Sequence, residues 1–212
     1  MGKIRRFRDL EASLGKAGAG AKKIDRRRPS RPCGRGKPGR NLAGMVETLI
    51  SIRAARPGDE AGIAHVHDAA WREAYLGVIP GRELERMIQR RGPNWWRRAI
   101  VGGTRLTVLD FDDKIAGYAS YGRNRMPALP FSGEVFELYI SPEYQGAGLG
   151  RRMFEAARAD LAAHGYPTLV VWALAANERA VEFYLRLGGS IVRRAPERFG
   201  AETRERVAFG FH

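Results

Sequence analysis

Three glycines at alternate positions, Gly146, Gly148 and Gly150, are followed at once by Arg151 and Arg152. The run Leu138-Tyr139-Ile140-Ser141-Pro142 ahead of them reads as a strand halted by a proline, and residues 148–164 behind them read as a helix. At a helix N-terminus the first backbone N–H groups have no intrahelical acceptor. Glycines remove the side chains that would shield those donors, and the helix dipole adds positive potential, so the turn suits a pyrophosphate. It is not a Walker loop, because no Gly-Lys-Ser/Thr follows. Nor is it the dinucleotide fingerprint, which needs Gly-x-Gly-x-x-Gly and an acidic residue about 20 positions on. Position 170 is Val170.

The elements around this turn follow from periodicity. Ile50–Arg53 alternates and reads as a strand. Asp59 is placed to cap a helix over 60–75 whose apolar side includes Ile63, Val66 and Ala70. After a Gly77–Gly81 break, short helices are predicted near 82–90 and over Pro93–Ile100. Arg105–Asp110 and Ile115–Tyr121 flank Asp112-Asp113-Lys114 as a hairpin. Residues 123–133 read as a loop and Val135–Ile140 as a strand. The 148–164 helix carries Leu149, Met153, Ala157 and Leu161 on one face and stops at Gly165. Thr168–Leu174 is apolar enough for a central strand. Asn177–Leu187 is helical, and Ser190–Arg194 and Arg206–Phe211 are the last strands. This order predicts a single mixed α/β (α+β) domain over residues 45–212.

Composition narrows the classes. The chain has 212 residues, 28% charged and 44% apolar, with a formal net charge of +14. No run of about 18 apolar residues exists, so no spanning helix is expected, and no secretory apolar region is visible. The single Cys33 leaves no internal disulfide or Cys metal cluster, and His65, His67 and His164 lack metal-ligand spacing, so no metal is expected. Residues 1–44 hold 14 Lys and Arg against 3 Asp and Glu, with eight glycines and no Trp or Tyr. Such a stretch is expected to be a disordered basic extension, with at most weak nucleic-acid contact through runs such as Arg26-Arg27-Arg28. Met45 stands immediately before the first strand-like run, so it is expected to be the natural start, or residues 1–44 to be dispensable. A cytoplasmic protein with no membrane attachment is expected.

Gln145-x-x-Gly148-x-Gly150 after a strand and a proline resembles the acyl-CoA-binding motif of the GNAT acyltransferase superfamily. A second stretch, Asn177-Glu178-Arg179-Ala180-Val181-Glu182-Phe183-Tyr184-Leu185-Arg186-Leu187-Gly188, resembles the family's later Asn-to-Gly helix, one strand further on. Ile52-Arg53-x-Ala55 and Trp71-Arg72-x-x-Tyr75-x-Gly77 resemble its first strand and helix. The likeness covers residues 50–212. It implies one mixed, mostly antiparallel sheet with a splayed central strand pair and helices on both faces. It implies acetyl transfer from acetyl-CoA, as co-substrate, to a primary amine of a small molecule or peptide, without a metal. A homodimer is among the assemblies the family uses.

Residue by residue, the resemblance implies that Leu138, Tyr139 and Ile140 line the pantetheine arm as an added strand would. It implies that Gln145, Gly146, Ala147, Gly148, Leu149, Gly150 and Arg151 form the pyrophosphate turn, and that Asn177 contacts the pantetheine. Tyr184 is implied as the acid that protonates the leaving thiolate. Glu134 is implied as the base, with Glu137 as runner-up on the opposite strand face. Some members place the base where this chain has Trp172, which cannot take a proton. Trp71 and Tyr75, with the stretch to Pro80, are implied for the acceptor pocket. Two other readings are a CoA-binding sensor without turnover and a nucleic-acid-associated protein acting through residues 1–44.

Overall fold

A computed structural model describes residues 50–212. The expectations for residues 1–44, Cys33 and Met45 lie outside those residues.

Seven strands form one sheet in the order β1-β2-β3-β4-β5-β7-β6. They are β1 (Ile50–Ala54), β2 (Leu106–Phe111), β3 (Lys114–Arg123), β4 (Gly133–Ile140), β5 (Leu169–Leu174), β6 (Ser190–Phe199) and β7 (Glu202–Phe211). Every neighbouring pair is antiparallel except β4 and β5. A parallel pair needs a crossover, and the helix α4 (Leu149–Ala163) supplies it. On the same face lies α5 (Glu178–Arg186). The apolar side of α4, Leu149, Met153, Phe154, Ala157 and Leu161, packs there with Tyr184, Val171, Phe209 and Phe211. The opposite face carries α1 (Glu60–Tyr75), α2 (Gly81–Arg90) and α3 (Pro93–Val101). Ile63, Val66 and Trp96 cover Val108 and Tyr118 there. Leu84 and Ile88 close over Trp71, Tyr75, Leu174 and Phe199.

The hairpin at Asp112-Asp113 has both residues at positive φ, 49° and 61°, as a type I′ turn matched to strand twist requires. Two expectations need correction. The last two strands are longer than their apolar runs, pairing from Ser190 with Gly210 to Phe199 with Glu202. β6 is an edge strand, where charge and a proline are tolerated, so Arg193, Arg194 and Pro196 extend it instead of ending it. Asp59 does stand ahead of α1, but its side chain caps no helix amide. It is held instead by both Arg53 Nη groups, at 2.7 and 2.9 Å, and accepts the Arg56 backbone N–H at 2.8 Å. Arg53 also reaches Asp110 on β2 at 2.8 Å, so this network ties β1, β2 and the start of α1 together.

Burial alone would raise the Asp59 carboxyl, but the bonds from Arg53 and Arg56 outweigh it and hold the group below its usual value. A carboxyl depressed in the folded state stabilises the fold above its unfolded pKa of about 3.9, and that stabilisation is lost as pH falls below it. Asp59→Asn is therefore expected to cost about 1–3 kcal/mol at pH 7. The gap to wild type should close below about pH 4. Urea unfolding of both proteins across pH 3–7 checks this, and a gap that persists at low pH would contradict it.

Candidate active site

β4 and β5 pair only at Gly133–Leu169, Glu134–Val170 and Val135–Val171. Beyond that point they part, and a cleft of about 860 Å³ opens between them. Its walls are Phe136 to Ile140 of β4, Val171 to Leu174 of β5, the glycine turn, one side of α5 along its length and the end of α1 at Tyr75. The parting frees backbone groups of β4 from their partner strand while β3 still holds the other edge through Tyr118–Tyr139 and Ala119–Leu138.

The turn reaches the cleft in the form its sequence requires. Pro142–Tyr144 makes one short 3-10 turn. Gln145 then folds back, its Nε2 donating to the Ile140 carbonyl at 3.0 Å. Gly148 caps α4 with φ 75°, ψ 0°, and nothing lies within 4 Å of where a Cβ would stand. The amides of the first turn of α4 therefore face open space, with the positive end of a 15-residue helix behind them. At Gly150 the need is different: a Cβ would come within 3.3 Å of the Phe183 ring, so glycine lets α4 approach α5 closely.

Gln145, Gly146, Gly148, Gly150 and Arg151 line the cleft, as do Leu138, Tyr139, Ile140 and Asn177. The Asn177 side chain accepts the Ala180 N–H at 3.1 Å, so it caps α5 as well. Leu149 is in the core under the turn, and Ala147 is exposed at its tip; neither side chain lines the cleft. Glu73 of α1, Gln145 and Arg179 of α5 form a ring at the cleft wall. Arg179 bonds Glu73 and Gln145 at 2.6 Å each, and Gln145 donates to Glu73 at 2.8 Å. All three are solvent-accessible, so the ring contributes little to stability and can yield to a ligand.

Tyr184 lines the cleft from α5, with its ring among Phe183, Phe209 and Phe154 at centroid distances of 5.1, 5.5 and 6.1 Å. Burial pushes its phenol well above the usual value, so it stays protonated across the neutral range. Tyr75 meets Tyr139 hydroxyl to hydroxyl at 3.0 Å, and burial raises both phenols. Trp71, expected beside Tyr75, is 2% exposed and packs edge-on against the Tyr75 ring inside the core. It supports the pocket wall from behind, because one turn of α1 separates the two residues and only Tyr75 reaches the cleft.

Of the two glutamates, Glu134 leaves the strand face expected of it and Glu137 keeps its own. β3 pairs Ser120 with Glu137 but Tyr121 with Val135, so Phe136 is an extra residue on β4. A bulge of one residue reverses the alternation beyond it. Glu134 consequently does not share a face with Leu138 and Ile140. It is buried in a two-pronged pair with Arg125, at 2.5 and 3.1 Å, with the Arg125 backbone N–H at 3.0 Å. Glu137 lines the cleft, its carboxylate held by Arg91 and by the Ser120 hydroxyl at 3.2 Å each. Sequence reasoning also passed over Arg206 of β7, which lines the cleft from beyond β5. The available signal was weak: Arg206 is the last of three consecutive charges, Arg204-Glu205-Arg206, and abuts the apolar run from Val207.

A sheet parted between two parallel strands, with helix amides at one end and buried phenols along the gap, has the form of a site for an extended, phosphate-bearing carrier. The sequence profile of the Acetyltransferase (GNAT) family matches residues 63–189. The uncharacterized N-acetyltransferase YuaI of Bacillus subtilis is 27% identical over 136 residues, covering 64% of this chain and 78% of YuaI. The PaiA N-acetyltransferase of Thermoplasma acidophilum, solved with coenzyme A, superposes with a TM-score of 0.60 at 17% identity, covering 74% of this chain and 97% of that one. YncA of Salmonella typhimurium, solved with acetyl-CoA, gives 0.56 at 18% identity, covering 77% and 93%. The chain belongs to the GNAT acetyltransferase family and is an N-acetyltransferase that uses an acyl-CoA. Among the described residues, no helix is long and apolar enough to cross a membrane.

Proposed function

We propose that this protein moves an acetyl group from acetyl-CoA to a primary amine by direct attack, and that the parted β4–β5 gap is where the two substrates meet. The single observation that carries this is the cleft itself: it runs from the open amides of the glycine turn, past unpaired β4 backbone, to Tyr184 and Glu137. The residues present fit a CoA thioester. The turn at Gly146 to Arg151 binds the diphosphate, Leu138 and Ile140 offer backbone groups to the pantetheine, and Asn177 borders its path. Acetyl as the acyl group is supported by the acetyl-CoA complex of YncA.

Glu137 takes the place of Glu134 as proton acceptor, because Glu137 lines the cleft and Glu134 does not. The neutral amine forms a C–N bond to the thioester carbon, and its surplus proton passes to Glu137, directly or through water. The C–S bond breaks, and the departing thiolate takes the Tyr184 proton. The products are an N-acetylated acceptor and CoA thiol. Most of the acceleration comes from positioning and proton transfer.

Calorimetry with CoA and acetyl-CoA, followed by thiol release across an amine panel, tests the reading. Gly148→Val is expected to weaken CoA by about 10–100-fold, since a β-branched residue resists the left-handed φ and one charge-assisted bond to the phosphate is lost. Absence of heat with every CoA species, on folded protein, would overturn the reading. Tight CoA binding with no thiol release in the presence of any amine would favour a sensor over an enzyme.

A further inference from the structure

Arg206 sits opposite Leu174 in the β5–β7 ladder, at the parted end of β5, and lines the same cleft as Glu137. Its side chain is 8% exposed. One nitrogen, Nη1, is 3.0 Å from Glu197 of β6, and the guanidinium lies 4.2 Å over the Trp172 ring. The other two nitrogens, Nε and Nη2, are buried and have no hydrogen-bond partner among the described residues. A buried guanidinium edge left unpaired is costly, and such an exception calls for an explanation.

Nε and Nη2 lie on one edge of the guanidinium, the edge that grips two carboxylate oxygens side-on. This molecule uses that edge elsewhere: Arg125 holds Glu134 with the same two nitrogens, at 3.1 and 2.5 Å. The charged groups that act on Arg206 are Glu197, Glu134, Arg125 and Arg193. With Arg206 itself that makes three guanidinia against two carboxylates, an excess of one positive charge. Trp172 fixes the plane of the fork by stacking.

We infer that Arg206, braced by Glu197 and Trp172, binds a carboxylate of the acceptor, so that the preferred acceptor is an amine that also carries a carboxylate, of the amino-acid type. The inference rests on the acyl-transfer reading above. In this arrangement Glu137 attracts the ammonium end and Arg206 the anionic end, and an acceptor with both groups is oriented by two opposite charges on the walls of one cleft. A site built to pair with a carboxylate rejects an analogue that lacks it, because the fork is then left unpaired.

The experiment uses the whole chain, acetyl-CoA and matched acceptors: several L-amino acids, each beside its own carboxamide. The carboxamide keeps the side chain and has the more nucleophilic amine at neutral pH, so the comparison is biased against the proposal. Expected is a kcat/KM at least about 10-fold higher for the free acids. Arg206→Gln should shrink that ratio to within about 3-fold, chiefly through KM of the acid, and Arg206→Lys should restore part of it. Equal or better use of the carboxamides by wild type, or an unchanged ratio in a folded Arg206→Gln protein, overturns the proposal. Since a buried arginine variant can fail to fold, a second measurement uses wild type alone. N-acetyl-amino acids and their amides are titrated calorimetrically into the CoA-bound protein, and the acids should bind at least about 10-fold more tightly. Equal binding, or none, overturns the proposal as well. Turnover of simple amines without preference sinks only the carboxylate assignment, whereas absence of CoA binding sinks the acyl-transfer reading beneath it.

Discussion

Tyr184→Phe is expected to lower kcat by about 10²–10⁴-fold while leaving acetyl-CoA affinity within about 3-fold, because only proton donation to the departing thiolate is lost. The magnitude is that of a positioned general acid. The fold gives reason to expect the variant to stay intact. Tyr184 sits in a ring of phenylalanines, so the remaining benzyl group keeps its contacts with Phe154, Phe183 and Phe209. Burial holds the phenol above its usual pKa, so the wild-type donor is fully protonated at neutral pH and should add no titration of its own below the alkaline range. Single-turnover kinetics with a saturating acceptor, beside calorimetric CoA binding, separates the chemical step from binding. An unchanged kcat would remove Tyr184 from the mechanism and return it to the core.

Glu137→Gln is the second large effect. It should lower kcat at pH 7 by about 10²–10³-fold while leaving acetyl-CoA affinity within about 3-fold, since an amide cannot accept the amine's proton. The substitution keeps the shape that Arg91 and Ser120 hold but removes the charge opposite the buried Arg91, so unfolding and CoA binding are measured beside kcat. Glu134→Gln provides the contrast. It breaks the buried pair with Arg125 and should cost about 3–5 kcal/mol of stability, yet the folded protein should keep kcat within about 3-fold of wild type. A folded Glu134 variant that loses turnover, with Glu137→Gln retaining it, would reverse the assignment.

Much of this protein was legible in its residues because the signals are local. Periodicity, apolar runs and turn signals together located every strand and α-helix of residues 50–212, and the only strands to run far past their apolar limits were the two of the last hairpin. The glycine spacing at 146, 148 and 150 anticipated a helix mouth free of side chains, since each of those positions answers to backbone geometry within a few residues. Asn177 and the helix carrying Tyr184 were readable for the same reason. Trp71 was harder: on a helix, its type and its distance from Tyr75 fit a pocket and a core equally well, and only the closure of α2 over that face made it core.

The sequence determined the order of elements, the carrier turn and the phenol, because propensity, capping and short-range periodicity act along the chain. Only the tertiary structure decided which carboxylate meets the cleft. One extra residue, Phe136, is accommodated where β4 pairs with β3, and it turns Glu134 away from Leu138 and Ile140 and toward Arg125, while Glu137 lies past the point where β4 and β5 part. A bulge depends on the partner strand, which lies outside any local window. The same holds for Arg206: its place beside Trp172 and Glu197 arises from the pairing of β7 with β5 and β6, long-range contacts that no spacing in the chain encodes.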